Sequence, residues 1–259
     1  LFKIASISKL YMAVAATKLI DQGLLDLDET LAEMLPQYKE RIAYANDITL
    51  RMLIKHRSGI PNFVDDSHFS WENLPTNIND VLETVLDEDA NFKPNKKYQY
   101  SNTNYLLLAL IMDQTLGYTH AEYIKQVIFE TLELNNTYYY YSEVDSHDVI
   151  SGYSVGYPYD LKTNDFITPG GSMVSTIQDV GTFIRALNDH SVFSSVSEAN
   201  IYSDLYFYEH TGLLPGYQSI ARYDKENDRV LIVFTNTSGD NSWGKIEIIY
   251  DKILKILSK

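Results

Sequence analysis

The chain reads Ala5-Ser6-Ile7-Ser8-Lys9 at the point where its first strong helix pattern begins. Ser6 and Lys9 have the spacing S-x-x-K, and residues three apart on a helix lie on one face, so the lysine amine can reach the serine hydroxyl. A serine hydroxyl is a poor nucleophile until a base removes its proton. At a helix N-terminus, unpaired N–H groups and the positive end of the dipole also face developing negative charge. Alone, the pattern is short, and it also describes a helix cap followed by a solvated lysine.

The helix that starts near Ser6 is predicted to run to Gly23, because glycine commonly ends helices. Apolar residues three or four apart mark its buried stripe, namely Leu10, Ala13, Val14, Thr17 and Leu24. Further helices are predicted over about 28–35, 49–55, 79–87, 101–115, 119–130, 175–188 and 245–258. Two β-rich runs, Tyr217–Tyr223 and Arg229–Asn236, flank the turn Asp224–Asp228 and predict a hairpin. This order of elements indicates a helical lobe packed against an antiparallel sheet.

Two other short motifs carry side chains suited to the same chemistry. Tyr100-Ser101-Asn102 stands where a loop enters an apolar helix. A tyrosine phenol can relay a proton if nearby cations lower its pKa, and an asparagine amide can hold a substrate carbonyl. His210-Thr211-Gly212 precedes the hairpin, and a strand there can donate a backbone N–H to an oxyanion, with Gly212 allowing close approach. The plainer interpretations are a helix cap with a core tyrosine, and an edge strand with a surface histidine.

In this order, the motifs S-x-x-K, Y-x-N and K/H-[ST]-G resemble those of the class C β-lactamase and D-Ala-D-Ala carboxypeptidase family of serine hydrolases. That family also contains esterases and D-aminopeptidases. The surrounding sequence is similar to the family over essentially the whole chain, in the stretches Gly23–Asp28, Leu53–Pro61, Phe92–Tyr105, Gly170–Thr176 and Pro215–Tyr217.

The resemblance implies a role for each motif residue. Ser6 is the acylated nucleophile, and Lys9 and Tyr100 form the general base and proton shuttle. Asn102 contacts substrate, and the backbone N–H groups of Ser6 and Leu213 form the oxyanion hole. The third motif, His210, Thr211 and Gly212, is expected to bind substrate. No cofactor is implied.

Two departures from the family pattern carry expectations of their own. Relatives have strands before the nucleophile, whereas Ser6 stands almost at the start here, so N-terminal strands are expected to be missing and a sheet edge to be exposed. His210 stands where many relatives have lysine. A mostly neutral histidine would favour esters or uncharged acyl groups over penicillins and D-Ala-D-Ala peptides, which carry a carboxylate, unless Arg222 supplies the cation.

Composition excludes several classes of function. The chain has 259 residues, no cysteine and a net charge of -14, so disulfides, thiolate catalysis and nucleic-acid binding are not expected. The six histidines show no H-x-x-x-H pattern, which makes a metal site improbable. No apolar run is long enough for a membrane span. The family resemblance points to an exported protein, with membrane contact only through an anchor preceding residue 1.

Two other features of the sequence compete with these motifs as candidate sites. Gly152-Tyr153-Ser154-Val155-Gly156 matches G-x-S-x-G, but the strand and helix that a nucleophile elbow requires are not indicated around it. The tyrosine-rich stretch Tyr138–Tyr141 fits a β segment better than a ligand-stacking surface.

Together these observations predict an α+β fold of the β-lactamase/transpeptidase type. Residues 1–259 are expected to form a single catalytic domain, with a helical lobe at about 25–170, and a sheet and C-terminal helix at about 171–259 joined by the nucleophile helix 6–23. The expected function is hydrolysis of an amide, β-lactam or ester through an acyl-enzyme, with a small molecule or peptidoglycan peptide as substrate. The alternative is a non-hydrolytic relative that binds penicillin or peptidoglycan peptides.

Overall fold

The helix that follows the S-x-x-K stretch lies at the centre of the molecule. In the computed structural model, which describes residues 1–257, α1 spans Ser8–Asp21. Every residue from Ser8 to Leu19 is buried, as expected for a helix with apolar residues all round. The chain leaves the helix through Gly23, whose φ of +71° suits glycine. The predicted stripe was therefore too narrow, and it was wrong to include Leu24, which lies beyond the helix and is 53% exposed.

Most of the other predicted helices are present, with boundaries set by their caps. The hydroxyls of Thr49, Thr119 and Thr176 each accept a hydrogen bond from a backbone N–H three residues on, as N-caps do. The helix α6 (His120–Ile124) continues as one π-helical turn over Lys125–Phe129. The helices after α1 are α2 Leu31–Met34, α3 Leu50–Ile54, α4 Ile78–Glu83, α5 Asn102–Leu116, α6 His120–Ile124, α7 Ile177–Asn188, α8 Val196–Leu205 and α9 Ser242–Leu257. The predicted end of the last helix, Ser258, lies outside the described residues.

A three-stranded antiparallel sheet forms the late part of the chain, in the order β4 (His210–Leu214), β5 (Tyr217–Asp224) and β6 (Arg229–Thr235). The predicted hairpin is confirmed, because β5 and β6 pair from Gln218 opposite Thr235 to Asp224 opposite Arg229. Successive side chains point to opposite faces. Ile232 and Phe234 face the main core, which includes α1 and α7, whereas Leu231 and Val233 pack with Ile246 of α9.

Short two-residue pairings join distant parts of the chain. β1 (Phe2–Lys3) pairs antiparallel with β3 (Val174–Ser175), which holds the nucleophile segment beside the start of α7. β2 (Tyr153–Ser154) pairs parallel with β7 (Thr237–Ser238). Tyr138 also bridges Val174, so one end of the tyrosine-rich stretch is β-like, as expected. Such short strands leave no periodicity in the sequence, which is why they were not predicted.

α8 was not predicted, although it packs directly against α1. Lys18 of α1 and Glu198 of α8 form a buried ion pair with an N–O distance of 3.0 Å. Glu198 also accepts from the Ser194 N–H, and the Ser195 hydroxyl caps the helix. The segment 188–209 therefore contributes to the core beside the nucleophile helix.

The sheet ends at β6 over the residues that the structure describes, where β6 pairs with β5 on one side and no strand follows on the other. The residues of β6 are buried or half-buried, and the expectation of an exposed edge left by missing N-terminal strands stays a prediction. On the opposite side of the sheet, β4 lies against the 3₁₀ turn Ala5–Ile7 that carries Ser6. That contact positions the candidate site.

Candidate active site

Ser6 lies in a 3₁₀ turn, Ala5–Ile7, that precedes α1 rather than in the first turn of the α-helix. Ala5 has a φ of +52°, a conformation that non-glycine residues rarely adopt. The Ser8 hydroxyl donates to the Ala5 carbonyl at 2.6 Å and so supports this bend. The bend leaves the Ser6 side chain half-buried at the floor of a cleft.

Lys9 is fully buried behind Ser6. Its Nζ donates to Ser6 Oγ at 3.3 Å, to Asn102 Oδ1 at 2.8 Å and to the Gly170 carbonyl at 2.8 Å. Burial lowers the pKa of the Lys9 amine from its usual value to about 7, because the charged form loses hydration. At neutral pH a large share of Lys9 is therefore uncharged and able to accept a proton.

Tyr100 approaches Ser6 from the other side. Its hydroxyl donates to Ser6 Oγ at 2.9 Å, and its ring centroid lies 5.1 Å from Lys9 Nζ. Cations were expected to lower its pKa, but burial raises the pKa of the Tyr100 phenol well above its usual value, and the bond with Ser6 offsets this only in part. Tyr100 therefore stands as a neutral phenol, a proton donor in the resting site.

The third motif is divided between two surfaces. Gly212 faces the nucleophile turn so closely that a Cβ built on it would lie 2.5 Å from the Ile4 carbonyl oxygen. Leu213 follows it and lines the same cleft as Ser6. His210 and Thr211, by contrast, line another depression with Arg222. Gly212 therefore lies against the nucleophile turn and Leu213 borders the cleft, whereas His210 and Thr211 are not among the residues that line it; the roles of these residues stay predictions.

His210 is held as a neutral ring. Its Nε2 faces the Tyr206 hydroxyl at 3.1 Å, and its Nδ1 faces the Thr211 carbonyl at 2.5 Å. Burial lowers the pKa of the His210 imidazole to about 4, with the Thr211 bond opposing the shift and nearby Lys9 adding to it. Arg222 does not replace the missing cation, because its guanidinium lies 3.5 Å from the Glu209 carboxylate and over the Tyr250 ring.

The cleft above Ser6 has a volume of about 570 Å³. Its walls come from segments that lie far apart in sequence. Asp65 contributes a carboxylate, and Trp71, Tyr157 and Leu214 contribute apolar surface. The other lining residues are Asn62, Phe63, Val64, Tyr100, Asn102, Ser154, Thr168, Gly171, Leu213, Pro215, Ser238 and Gly239.

Ser154, the serine of the G-x-S-x-G match, lies on the wall of this cleft. Ser238 Oγ donates to Ser154 Oγ at 3.0 Å, and the Gly216 N–H donates to Ser238 at 2.7 Å. Ser154 therefore faces a hydroxyl that is itself held by a backbone amide, whereas Ser6 faces an amine and a phenol. The contacts favour Ser6 over Ser154 as the activated hydroxyl.

Two polar residues beside the site were not predicted to belong to it. Asn62 accepts from both the backbone N–H of Asn102, at 2.8 Å, and its side-chain amide, at 3.1 Å. His56 is buried with its ring centroid 4.5 Å from that of Tyr100, and its Nδ1 accepts from the Ser101 N–H at 3.2 Å. No local pattern in the sequence indicates either role, because both depend on contacts between residues 40 or more positions apart.

The described residues contain neither a candidate metal site nor a candidate membrane-spanning helix. Over residues 1–257, no group of three or more His, Asp or Glu side chains is arranged to hold a metal ion. No helix in that range has the length and apolarity that crossing a membrane requires.

Comparison with known proteins decides the family. The family described as Beta-lactamase matches residues 1–205 of the chain. The chain belongs to the β-lactamase family. The predicted assignment to this family of serine hydrolases is thereby confirmed, and so is the predicted fold class. Membership supports a hydrolytic role for this β-lactamase-family chain.

Curated relatives of the β-lactamase-family chain are distant but cover most of it. Penicillin-binding protein 4* of Bacillus subtilis (strain 168) is 24% identical over 94% of this chain and 62% of its own length. Protein flp of Staphylococcus aureus (strain MW2) is 25% identical over 92% of this chain and 53% of its own length. The chain therefore spans somewhat more than half the length of these relatives.

Solved structures share the fold. D-amino acid amidase from Ochrobactrum anthropi SV3, in complex with D-phenylalanine, has a TM-score of 0.83 at 23% identity and covers 100% of this chain and 85% of its own. A D-stereospecific amidohydrolase from Streptomyces sp. has a TM-score of 0.81 at 21% identity, covering 93% and 84% of the two chains. The octameric penicillin-binding protein homologue from Pyrococcus abyssi has a TM-score of 0.78 at 24% identity and covers 99% and 66%.

Proposed function

We propose that the protein hydrolyses an amide, β-lactam or ester in two steps through an acyl group on Ser6. The observation that carries the proposal is the pair of contacts at Ser6 Oγ, with the Lys9 amine at 3.3 Å and the Tyr100 phenol at 2.9 Å. An oxygen that is to form and then break an acyl bond needs a proton acceptor and a proton donor within reach, and this serine has both.

The first step forms the acyl-enzyme. Neutral Lys9 takes the proton of the Ser6 hydroxyl as Oγ bonds to the substrate carbonyl carbon, whose oxygen becomes an oxyanion. Tyr100 then gives its proton to the departing amine or alkoxide as that bond breaks, and the proton on Lys9 restores the phenol. In the second step water attacks the ester carbon, its proton goes to the same base, and Ser6 regains its hydrogen as the acid leaves.

The oxyanion is assigned to the backbone N–H groups of Ser6 and Leu213. Because Gly212 has no side chain, β4 packs against the turn that carries Ser6, and both backbone segments border the cleft. Backbone donors fixed in this way act without reorganisation during the reaction, and losing one costs about 3–4 kcal/mol of transition-state stabilisation.

The charges around the cleft favour substrates without a carboxylate beside the scissile bond. Asp65 is the charged side chain among the described lining residues, and Lys9 lies behind them. His210 is neutral above its pKa of about 4, and Arg222 lies in the neighbouring depression. Simple esters and amides therefore suit this site better than penicillins do. Action outside the cytoplasm, which the family resemblance suggests, is proposed with it.

The test compares two serines of the same cleft. Ser6→Ala should abolish both labelling by a fluorophosphonate and hydrolysis of a p-nitrophenyl ester, whereas Ser154→Ala should leave both within about twofold of the parent, because the activating groups lie at Ser6. Peptide mass spectrometry locates the adduct. An adduct on Ser154, or turnover that survives Ser6→Ala, would overturn the proposal. A stable acyl-enzyme with no turnover would instead support the non-hydrolytic alternative.

A further inference from the structure

A chain of side-chain amides connects the cleft surface to the buried lysine. Asn62 Nδ2 donates to Asp65 Oδ2 at 3.1 Å. Asn62 Oδ1 accepts from the backbone N–H of Asn102 at 2.8 Å and from Asn102 Nδ2 at 3.1 Å. Asn102 Oδ1 in turn accepts from Lys9 Nζ at 2.8 Å. Four side chains therefore form one continuous path from Asp65 to Lys9.

The orientation of both amides follows from one fixed donor. A backbone N–H can only donate, so the Asn62 atom that faces the Asn102 N–H is its oxygen. The Asn102 atom that faces this oxygen is then the NH₂ group, which leaves the Asn102 oxygen towards Lys9. At the other end, the Asn62 NH₂ group meets the Asp65 carboxylate, which accepts when ionised. Each contact requires the orientation that the next one uses.

We propose that Asn62 is a positioning residue that keeps the Asn102 NH₂ group away from the lone pair of neutral Lys9. This inference rests on the proposed function, in which Lys9 is the base. While Lys9 is an ammonium, it has no lone pair and binds the oxygen of the Asn102 amide rather than its NH₂ group, so the amide orientation needs no further support. Once Lys9 is neutral, a flipped Asn102 amide would donate to Nζ and occupy the lone pair that Ser6 needs. Asn62 opposes the flip, because it would set two amide oxygens against each other.

The titratable side chains around Lys9 do not change protonation near pH 7, so they do not obscure the titration of Lys9. Burial lowers the pKa of His56 to about 3 and that of His210 to about 4, so both are neutral from pH 6 upward. Burial also raises the pKa of Tyr100 and of Tyr105 well above the usual value, so both phenols stay protonated. The rate of Ser6 acylation should therefore fall as the pH drops through about 7, and this limb of the pH profile should report the protonation of Lys9.

Two variants at Asn62 should move that limb in opposite directions. Asn62→Leu removes the acceptor, so the flipped Asn102 amide donates to the neutral amine. We expect acylation at its plateau to fall about tenfold and the limb to move down by about half a pH unit. Asn62→Asp keeps the acceptor and adds a negative charge, which favours the ammonium and moves the limb up. Loss of packing alone would lower the rate without opposite shifts.

The measurement is the rate of Ser6 labelling by a fluorophosphonate between pH 5.5 and 9, with thermal unfolding followed by circular dichroism. Asp66→Asn is the control, since Asp66 neighbours Asp65 but accepts from the His68 N–H outside the path; its limb should not move. Unshifted limbs in both Asn62 variants, or shifts of one sign, would overturn the inference. If Asn62→Leu does not fold, Asn62→Asp decides alone, by an upward shift or none. An unlabelled Ser6 in the parent protein would overturn the proposed function instead.

Discussion

Lys9 occupies a position in which a charged amine is unfavourable. Its side chain is fully buried, and loss of hydration pushes its pKa down to about 7. Three acceptors surround Nζ, namely Ser6 Oγ, Asn102 Oδ1 and the Gly170 carbonyl. The result is an amine that can change protonation near neutral pH, which a solvated lysine cannot do.

The first prediction concerns the pH dependence of acylation. Below pH 7 Lys9 is mostly an ammonium and cannot accept the Ser6 proton, so the acylation rate should fall as pH drops through about 7 and level off above it. The burst of p-nitrophenol release, measured from pH 5 to 9, reports this rate.

Lys3 provides a matched control for that assignment. Burial lowers its pKa to about 7 as well, but it lies among the rings of Tyr141, Phe166 and Tyr217, away from Ser6. Lys3→Met should keep the limb, whereas Lys9→Arg, which stays protonated, should abolish acylation. A limb that disappears in Lys3→Met would refute the role given to Lys9.

The contact between two residues of one motif could be predicted from the sequence, but the contacts of these residues with distant parts of the chain could not. Ser6 and Lys9 are three residues apart, so local helical geometry brings them together. Gly170, whose carbonyl accepts from Lys9, lies 161 residues from it, and no local pattern records that contact. The same limit applies to Asn62. For His210, the histidine itself was noted, but its burial against Tyr206 depends on the tertiary fold.

At the scale of elements, the bounds of the longer helices were predicted well. α5 ends at Leu116, before Gly117 with its φ of +74°, and α7 begins after the Thr176 cap, close to the predicted bounds of about 115 and 175. α8 was missed because its exposed Val196 and buried Ala199 and Tyr202 give a weak apolar stripe. The serine and glutamate at 195 and 198 were the available signal, since that spacing marks helix starts.

The second prediction tests the close packing of β4 on the nucleophile turn. Gly212→Ala would place a Cβ 2.5 Å from the Ile4 carbonyl oxygen, so β4 must move away and take the Leu213 N–H with it. Acylation should fall by about 10²–10³, the usual cost of losing an oxyanion donor. The pre-steady-state burst rate and thermal unfolding should both be measured.

Gly181→Ala is the matched control for this substitution. Its Cβ would lie 3.7 Å from Ile232, an ordinary contact, in the middle of α7. It should raise the unfolding free energy by about 0.5–1 kcal/mol and leave acylation unchanged. Equal acylation in the two alanine variants would contradict the role assigned to Gly212.

At the scale of the whole molecule, one contiguous apolar core extends from Ile4 to Ala221 and includes the nucleophile helix. The single-domain organisation over 1–259, with a helical lobe at about 25–170, fits this core and stays a prediction. Charge acts at the same scale. With 35 acidic residues against 21 lysines and arginines, the protein repels anions before they reach the cleft.

The third prediction is that a negative charge on the substrate lowers kcat/KM. The kcat/KM for p-nitrophenyl acetate should exceed that for the mono-p-nitrophenyl ester of succinate by about tenfold or more. The two esters share a leaving group, but the succinate ester carries a free carboxylate. Raising the ionic strength should increase kcat/KM for the anionic ester only, because salt screens the repulsion. Asp65→Asn should narrow the gap, since that carboxylate lines the cleft.

Chromogenic cephalosporins and D-Ala-D-Ala peptides extend the comparison to carboxylate-bearing amides. If kcat/KM at pH 8 for these anionic substrates exceeds that for p-nitrophenyl acetate tenfold or more, the prediction fails. The neutral His210 then does not determine the preference of the site for substrate charge.

The site is assembled from segments on both sides of an exposed turn at 189–191. A cut after His190 would leave Ser6, Lys9 and Tyr100 on one fragment and Leu213 on the other, with the Lys18–Glu198 pair joining them. Neither half alone would hold both backbone donors of the proposed oxyanion hole. Fused to two interacting partners and exposed to a fluorophosphonate, the halves would make a reporter whose signal is the covalent adduct on Ser6, which records past encounters as well as present ones.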